Sequence, residues 1–95
     1  MLRKTKIICT LGPAVDNEEM MRKLIRAGMD AARFNFSHGD HEEHLGRLNK
    51  LKAVRDSMSR PVATIMDTKG PEIRIKSFDV KSITLEAGAS FTLTT

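Results

Sequence analysis

At 95 residues the chain makes one domain at most, and a domain of this size buries only about 60–65% of its unfolded surface. With 40% hydrophobic and 29% charged residues it has the make-up of an ordinary soluble globular protein and not of a disordered chain, and no apolar run approaches the roughly 20 residues that span a bilayer. A net charge of +4 and a pI near 9.6 raise nucleic acid as a partner, but there is no Trp or Tyr and the four Phe do not alternate with Lys and Arg as base-stacking platforms do. A small anionic substrate suits the same charge.

The opening residues are basic, and the apolar stretch Ile7–Leu11 is too short for a signal-peptide core, so the expected location is cytoplasmic. Lys6–Leu11 reads as a buried parallel strand closed by the loop Gly12-Pro13. Within it the single cysteine, Cys9, fits a buried thiol of a reducing compartment better than a disulfide or a metal ligand. Asp16 is the expected N-cap of the first helix, with Glu19 completing the capping box. Met20, Met21, Leu24, Ile25 and Ala27 keep a helical period up to Gly28, a natural helix terminator.

The second strand alternates. Ala32, Phe34 and Phe36 fall on one face and Arg33, Asn35 and Ser37 on the other. Strands covered on both faces usually read as continuous apolar runs, so a row of Arg, Asn and Ser is costly unless a ligand or an ion meets it. Asp40 caps the next helix with Glu43 behind it. Leu45, Leu48, Leu51, Val54 and Met58 give that helix an apolar stripe, while Arg47, Lys50, Lys52 and Arg55 read as a solvated basic face.

Pro61 opens the third strand, Val62–Met66, again a continuous apolar run, which leads into Asp67-Thr68-Lys69-Gly70-Pro71. The texture then changes. Ser77–Leu85 and Ser90–Thr94 read as a hairpin around Glu86-Ala87-Gly88, stopping in mid-strand at Thr95. The expected order is β-α-β-α-β followed by β-β, an α/β fold whose open sheet edges belong to something longer.

Right-handed crossovers place the three early strands in one parallel sheet, with Thr10, the Asn35–His38 segment and Asp67-Thr68-Lys69 at the strand C-termini, where such sheets build their sites. Asn35, Ser37, Asp67 and Thr68 make an oxygen set suited to a hard, monovalent cation; the competing reading is that Asp67 and Ser37 cap loops. Arg33 and Arg74 offer planar forks for phosphate or carboxylate. Burial of Arg33 in mid-strand without a partner would be costly, whereas Arg74 is equally a free surface residue. His38 is a candidate base or phosphate donor, or a bystander at a helix start. His41 and His44 read as surface residues.

Three stretches in register carry a resemblance to the pyruvate kinase family: Lys4–Pro13 (KTKIICTLGP) resembles its first barrel strand, Ala32–Asp40 (ARFNFSHGD) its Arg-x-Asn-Phe-Ser-His-Gly strand, and Asp67–Arg74 (DTKGPEIR) its third-strand signature. Phe34 stands where the family often has Leu. The resemblance implies a (β/α)8 TIM barrel, with residues 1–70 as its first strands and helices and residues 71–95 as the incomplete opening of a small inserted β domain. It further implies that Arg33 binds the substrate phosphate, that Asn35, Ser37, Asp67 and Thr68 hold potassium, and that Asn35, Phe36, Ser37, His38 and Arg74 face the nucleotide. Glu72 matches family members that depend on potassium, where Lys marks independence of it.

The implied activity is transfer of phosphate from phosphoenolpyruvate to ADP, giving pyruvate and ATP, in a homotetrameric cytoplasmic enzyme. The magnesium ligands, the lysine that steadies the transferred group and the proton-donating threonine of the family lie on later barrel strands, outside this chain. Phosphoryl transfer depends on positioned cations, so the chain alone is expected to be inactive. The alternative from another class is a self-associating fragment with at most anion binding, its sheet edges met by a second copy.

Overall fold

The computed structural model of the chain describes residues 3–94. Its elements are β1 (Ile8–Thr10), a single 3-10 turn (Pro13–Val15), α1 (Glu18–Ala27), β2 (Ala31–Asn35), α2 (His41–Met58) and β3 (Ala63–Asp67). The strands form one parallel sheet in the order β1-β2-β3. Thr10 lies opposite Arg33, and Asn35 lies opposite Asp67.

The alternation in β2 is realised as the sequence requires. Ala32 and Phe34 are buried in a core with Met21 and Ile25 of α1, Leu51 and Val54 of α2, and the flanking Leu11, Met29 and Val62. Arg33 and Asn35, on the opposite face, are half-buried. β1 and β3 differ from the buried strands expected: Ile8 is 58% and Met66 67% exposed. Both are edge strands of a three-stranded sheet, and no layer among the described residues covers their outward positions. Cys9, expected to be buried, is half-buried against the core.

The start of α1 is one residue later than expected. Asn17, not Asp16, is the N-cap, its Oδ1 accepting the Met20 N–H at 2.8 Å. Asp16 is freed for a different task described below. At the other end Gly28 adopts φ +123° and its N–H and that of Met29 return to the Leu24 carbonyl, a termination for which a side chain would be strained. Ala27, counted in the apolar period, is exposed.

α2 starts as read, with Asp40 Oδ1 accepting the Glu43 N–H at 2.8 Å, but its buried face is rotated. Leu45 is 56% exposed, whereas His44 and Arg47 are buried. Positions 44, 47, 51, 54 and 58 satisfy the helical period as well as the Leu45–Leu48 series does. Partners decided between them, because His44 meets Phe36 and Phe34 and Arg47 meets Asp16. The basic face is therefore not simply solvated: Lys50 also reaches Asp16, and Arg55 donates to the Val62 carbonyl.

Residues 68–94 form no strand, and each of them is exposed. The hairpin expected from Ser77 to Thr94 is reduced to a turn in which the Ala89 N–H reaches the Glu86 carbonyl at 3.2 Å, with Gly88 at φ +79°. A two-stranded hairpin without a third strand or a helix to cover its apolar face is marginal in water. The stop at Thr95 lies outside the described residues.

Candidate functional site

Polar side chains converge at the C-terminal ends of the three strands, on the sheet face away from the helices. Arg33, on the central strand, bridges its neighbours: Nη1 donates to Thr10 Oγ1 on β1 at 3.0 Å, and Nε donates to Asp67 Oδ2 on β3 at 2.8 Å. Nη2 donates to the same Asp67 oxygen. The pair remains open to solvent, the Arg33 side chain being 33% and that of Asp67 44% exposed. Each guanidinium nitrogen thus has one engaged N–H, leaving Nη1 and Nη2 each with a second donor unengaged among the described residues.

The chain beyond β2 is a built turn. Asn35 Oδ1 accepts the Ser37 N–H at 3.1 Å, the His38 N–H reaches the Asn35 carbonyl at 3.2 Å, and the Phe36 N–H extends the ladder to the Asp67 carbonyl at 3.0 Å. His38 is exposed, Phe36 and Ser37 half-buried. His44 enters from the first turn of α2, its Nε2 lying 2.7 Å from the His38 carbonyl. Thr68 follows directly on β3 and is exposed.

The other candidates sit on the irregular segment. Arg74 pairs with Glu72, Nε to Oε1 and Nη2 to Oε2, both at 3.2 Å. The structure thus brings Arg33, Asn35, Ser37 and Asp67 to neighbouring strand ends and joins Arg74 to Glu72 instead. No three of His, Cys, Asp and Glu gather as a metal cluster among the described residues, and none of their helices is long and apolar enough to cross a membrane.

Two supports of the site escaped the sequence reading. Asp16 clasps the β1–α1 loop onto α2, accepting from Lys50 Nζ at 2.9 Å and lying 3.4 Å from Arg47 Nε. The Lys50 hydrogen bond, reinforced by the charges of Lys50 and Arg47, holds the Asp16 carboxyl below its ordinary pKa against the opposing effect of partial burial. Asp30 ties the base of β1, accepting from the Ile7 N–H at 2.8 Å and from Arg3. That backbone bond first, then the charges of Arg3 and Lys6, lowers its pKa as well. The cap residue one position after Asp16 was the available signal, since a second good cap frees the first.

Residues 2–95 match the family description "Pyruvate kinase, barrel domain". The chain is 54% identical over 87 residues to the pyruvate kinases of Staphylococcus aureus strains USA300 and NCTC 8325, an alignment covering 92% of this chain and 15% of theirs. A crystal structure of a pyruvate kinase from Cryptosporidium parvum superposes with a TM-score of 0.71 at 48% identity, over 74% of this chain and 14% of that one. The chain therefore spans about 15% of the length of the curated relatives it matches, and it belongs to the pyruvate kinase family, corresponding to the N-terminal region of the family's barrel domain.

Proposed function

We propose that this segment supplies the phosphate-orienting wall of a pyruvate kinase site that transfers phosphate from phosphoenolpyruvate to ADP. The observation that carries the reading is Arg33, held between Thr10 and Asp67 with a donor left on each terminal nitrogen. A fixed planar fork with two parallel donors matches two oxygens of a phosphoryl group, and it costs no reorganisation when charge develops there. Asn35, Phe36, Ser37 and His38 form the turn beside it and face the nucleotide. Arg74 joins them when the segment after Asp67 folds into the inserted β domain that residues 71–95 lead into.

The donor set fits a potassium ion. Asn35 and Asp67 are register partners, so an amide and a carboxylate oxygen share one sheet face, and Ser37 and Thr68 add hydroxyls close by in sequence; all are hard oxygen donors. Bound there, the ion would supply positive charge beside an anionic substrate. Magnesium and the remaining charge-stabilising groups come from later strands, so the 95-residue chain alone does not turn over. The enzyme of which this is a part acts in the cytoplasm as a homotetramer.

The test uses a pyruvate kinase of the relatives' full length carrying this segment. Arg33→Ala should lower turnover by about 10²–10³, the scale for removing one preorganised electrostatic group. Arg33→Lys should rescue poorly, since a point charge does not replace a fork. Unchanged kinetics in Arg33→Ala would sink the assignment.

A second reading concerns the chain by itself. Ile8, Leu45 and Met66 are each more than half exposed, and β1 and β3 offer unpaired edges, which a second copy would cover by strand addition.

A further inference from the structure

His44 is buried in the first turn of α2, a turn whose other residues, His41, Glu42 and Glu43, are exposed. Its ring centroid lies 4.5 Å from that of Phe36, and 6.3 Å from that of Phe34 in an edge arrangement. Nε2 is 2.7 Å from the His38 carbonyl oxygen. A carbonyl only accepts, so Nε2 carries the proton and donates. In the neutral ring Nδ1 then bears only its lone pair, and it is buried without a hydrogen-bond partner among the described residues.

Packing alone would be served better by an apolar side chain, which would fill the space against two Phe rings without leaving a ring nitrogen unpaired. What the imidazole adds is the bond from Nε2. That bond falls on a sensitive place. The Asn35–His38 turn is fixed at its start by Asn35, which holds the Ser37 and His38 N–H groups. At its far end the chain passes through Gly39 at φ +72°, pressed so close to α2 that a Cβ there would stand 2.7 Å from Glu43 Oε2 and 3.4 Å from His44 Nε2. A glycine leaves this end conformationally free unless something else holds it.

We infer that His44 is a positioning residue for the nucleotide: by donating from Nε2 to the His38 carbonyl it sets the Phe36–Gly39 turn against α2 in the shape that meets ADP. This rests on the nucleotide-facing reading of Asn35–His38 given above. His44 touches no substrate; it acts through the turn.

Three substitutions separate this role from core filling. In Gln the side-chain amide nitrogen stands at the Nε2 position, in Asn at the Nδ1 position, and Leu keeps bulk without a donor. In a pyruvate kinase of the relatives' full length carrying the segment, His44→Leu and His44→Asn should raise KM for ADP by about five- to tenfold, the loss of one hydrogen bond. KM for phosphoenolpyruvate should hold, and His44→Gln should restore most of the affinity for ADP. Amide hydrogen exchange at Ser37, His38 and Gly39 should rise in the Leu and Asn variants and not in Gln.

Equal exchange in all three variants, or equal loss of both substrates' affinities, would mean that the ring only fills space and would overturn the inference. Faster exchange with an unchanged KM for ADP would instead refute the nucleotide-facing reading and bring the inference down with it. The unmutated enzyme gives a check that needs no variant to fold: with ¹⁵N-labelled histidine, His44 should appear as the Nε2–H tautomer, and an Nδ1–H tautomer would overturn the proposal.

Discussion

Arg33 and Asp67 meet diagonally across β2 and β3: the register partner of Arg33 is Ile65 and that of Asp67 is Asn35, yet the guanidinium reaches one strand step further to engage Asp67 Oδ2 through Nε and Nη2. The two residues read separately as a phosphate fork and an ion ligand are thus parts of one unit. Each neutralises the other while both stay partly open to solvent, where a screened ion pair alone contributes little stability. The unit therefore matters more for aiming the guanidinium than for holding the sheet.

That unit makes cation dependence testable. In a full-length pyruvate kinase carrying the segment, activity should need potassium and fail with a bulky organic cation. Asp67→Asn should weaken ion binding most, raising the potassium concentration needed for activity, and should loosen Arg33 at the same time. Glu72→Lys, which breaks the pair with Arg74 and supplies a fixed ammonium, should relax the need for potassium, as an internal charge can stand in for a bound one. Equal rates of the unmutated enzyme with either cation would remove the functional warrant of the oxygen set.

The isolated 95-residue chain should show no phosphoryl transfer with phosphoenolpyruvate, ADP and magnesium in a coupled assay freed of host enzyme. On a sizing column it should elute above the 10.6 kDa monomer, because its apolar edge residues gain from a second copy. Turnover proportional to the chain would contradict the first expectation, and a monomeric elution volume the second.

Acid should unfold the chain through Asp16 and Asp30. Both carboxyls titrate lower in the folded chain than their usual value of 3.8. The stability they bring is therefore complete above that value and is lost as pH falls through the depressed folded pKa values. The thermal midpoint should fall steeply below about pH 4, and Asp16→Asn and Asp30→Asn should each lower the midpoint at neutral pH while flattening the acid limb. If the acid limb keeps its slope in both variants, other carboxylates carry it.

α2 ends at Ser59 in the left-handed region, φ 50° and ψ 40°, with its N–H returned to Arg55 and Asp56. A side chain there is strained, so Ser59→Gly should stabilise by about 0.5–1 kcal/mol and Ser59→Val should destabilise. Urea unfolding of the three chains gives the ranking; a less stable Gly variant would mean that Ser59 holds that conformation without strain.

The order of the first five main elements, the parallel β-α-β-α-β arrangement, the Asp40 cap, the Gly28 stop and the two faces of β2 were legible before any fold was known, since they rest on period, capping chemistry, the freedom of glycine and the handedness of crossovers. The three motifs also sufficed to place the chain in its family. The features that were not legible depend on partners distant in sequence. Asn17 displaced Asp16 as cap because Lys50 and Arg47, some thirty residues on, claimed the aspartate. The buried stripe of α2 ran through His44 and Arg47 rather than Leu45 because the aromatic rings of β2 and its turn, and the Asp16 carboxylate, received those side chains. The outward residues of β1 and β3, and the whole Thr- and Ile-containing tail, stayed exposed because burial depends on neighbouring elements, and hydrophobicity in a strand records a demand for cover without supplying it.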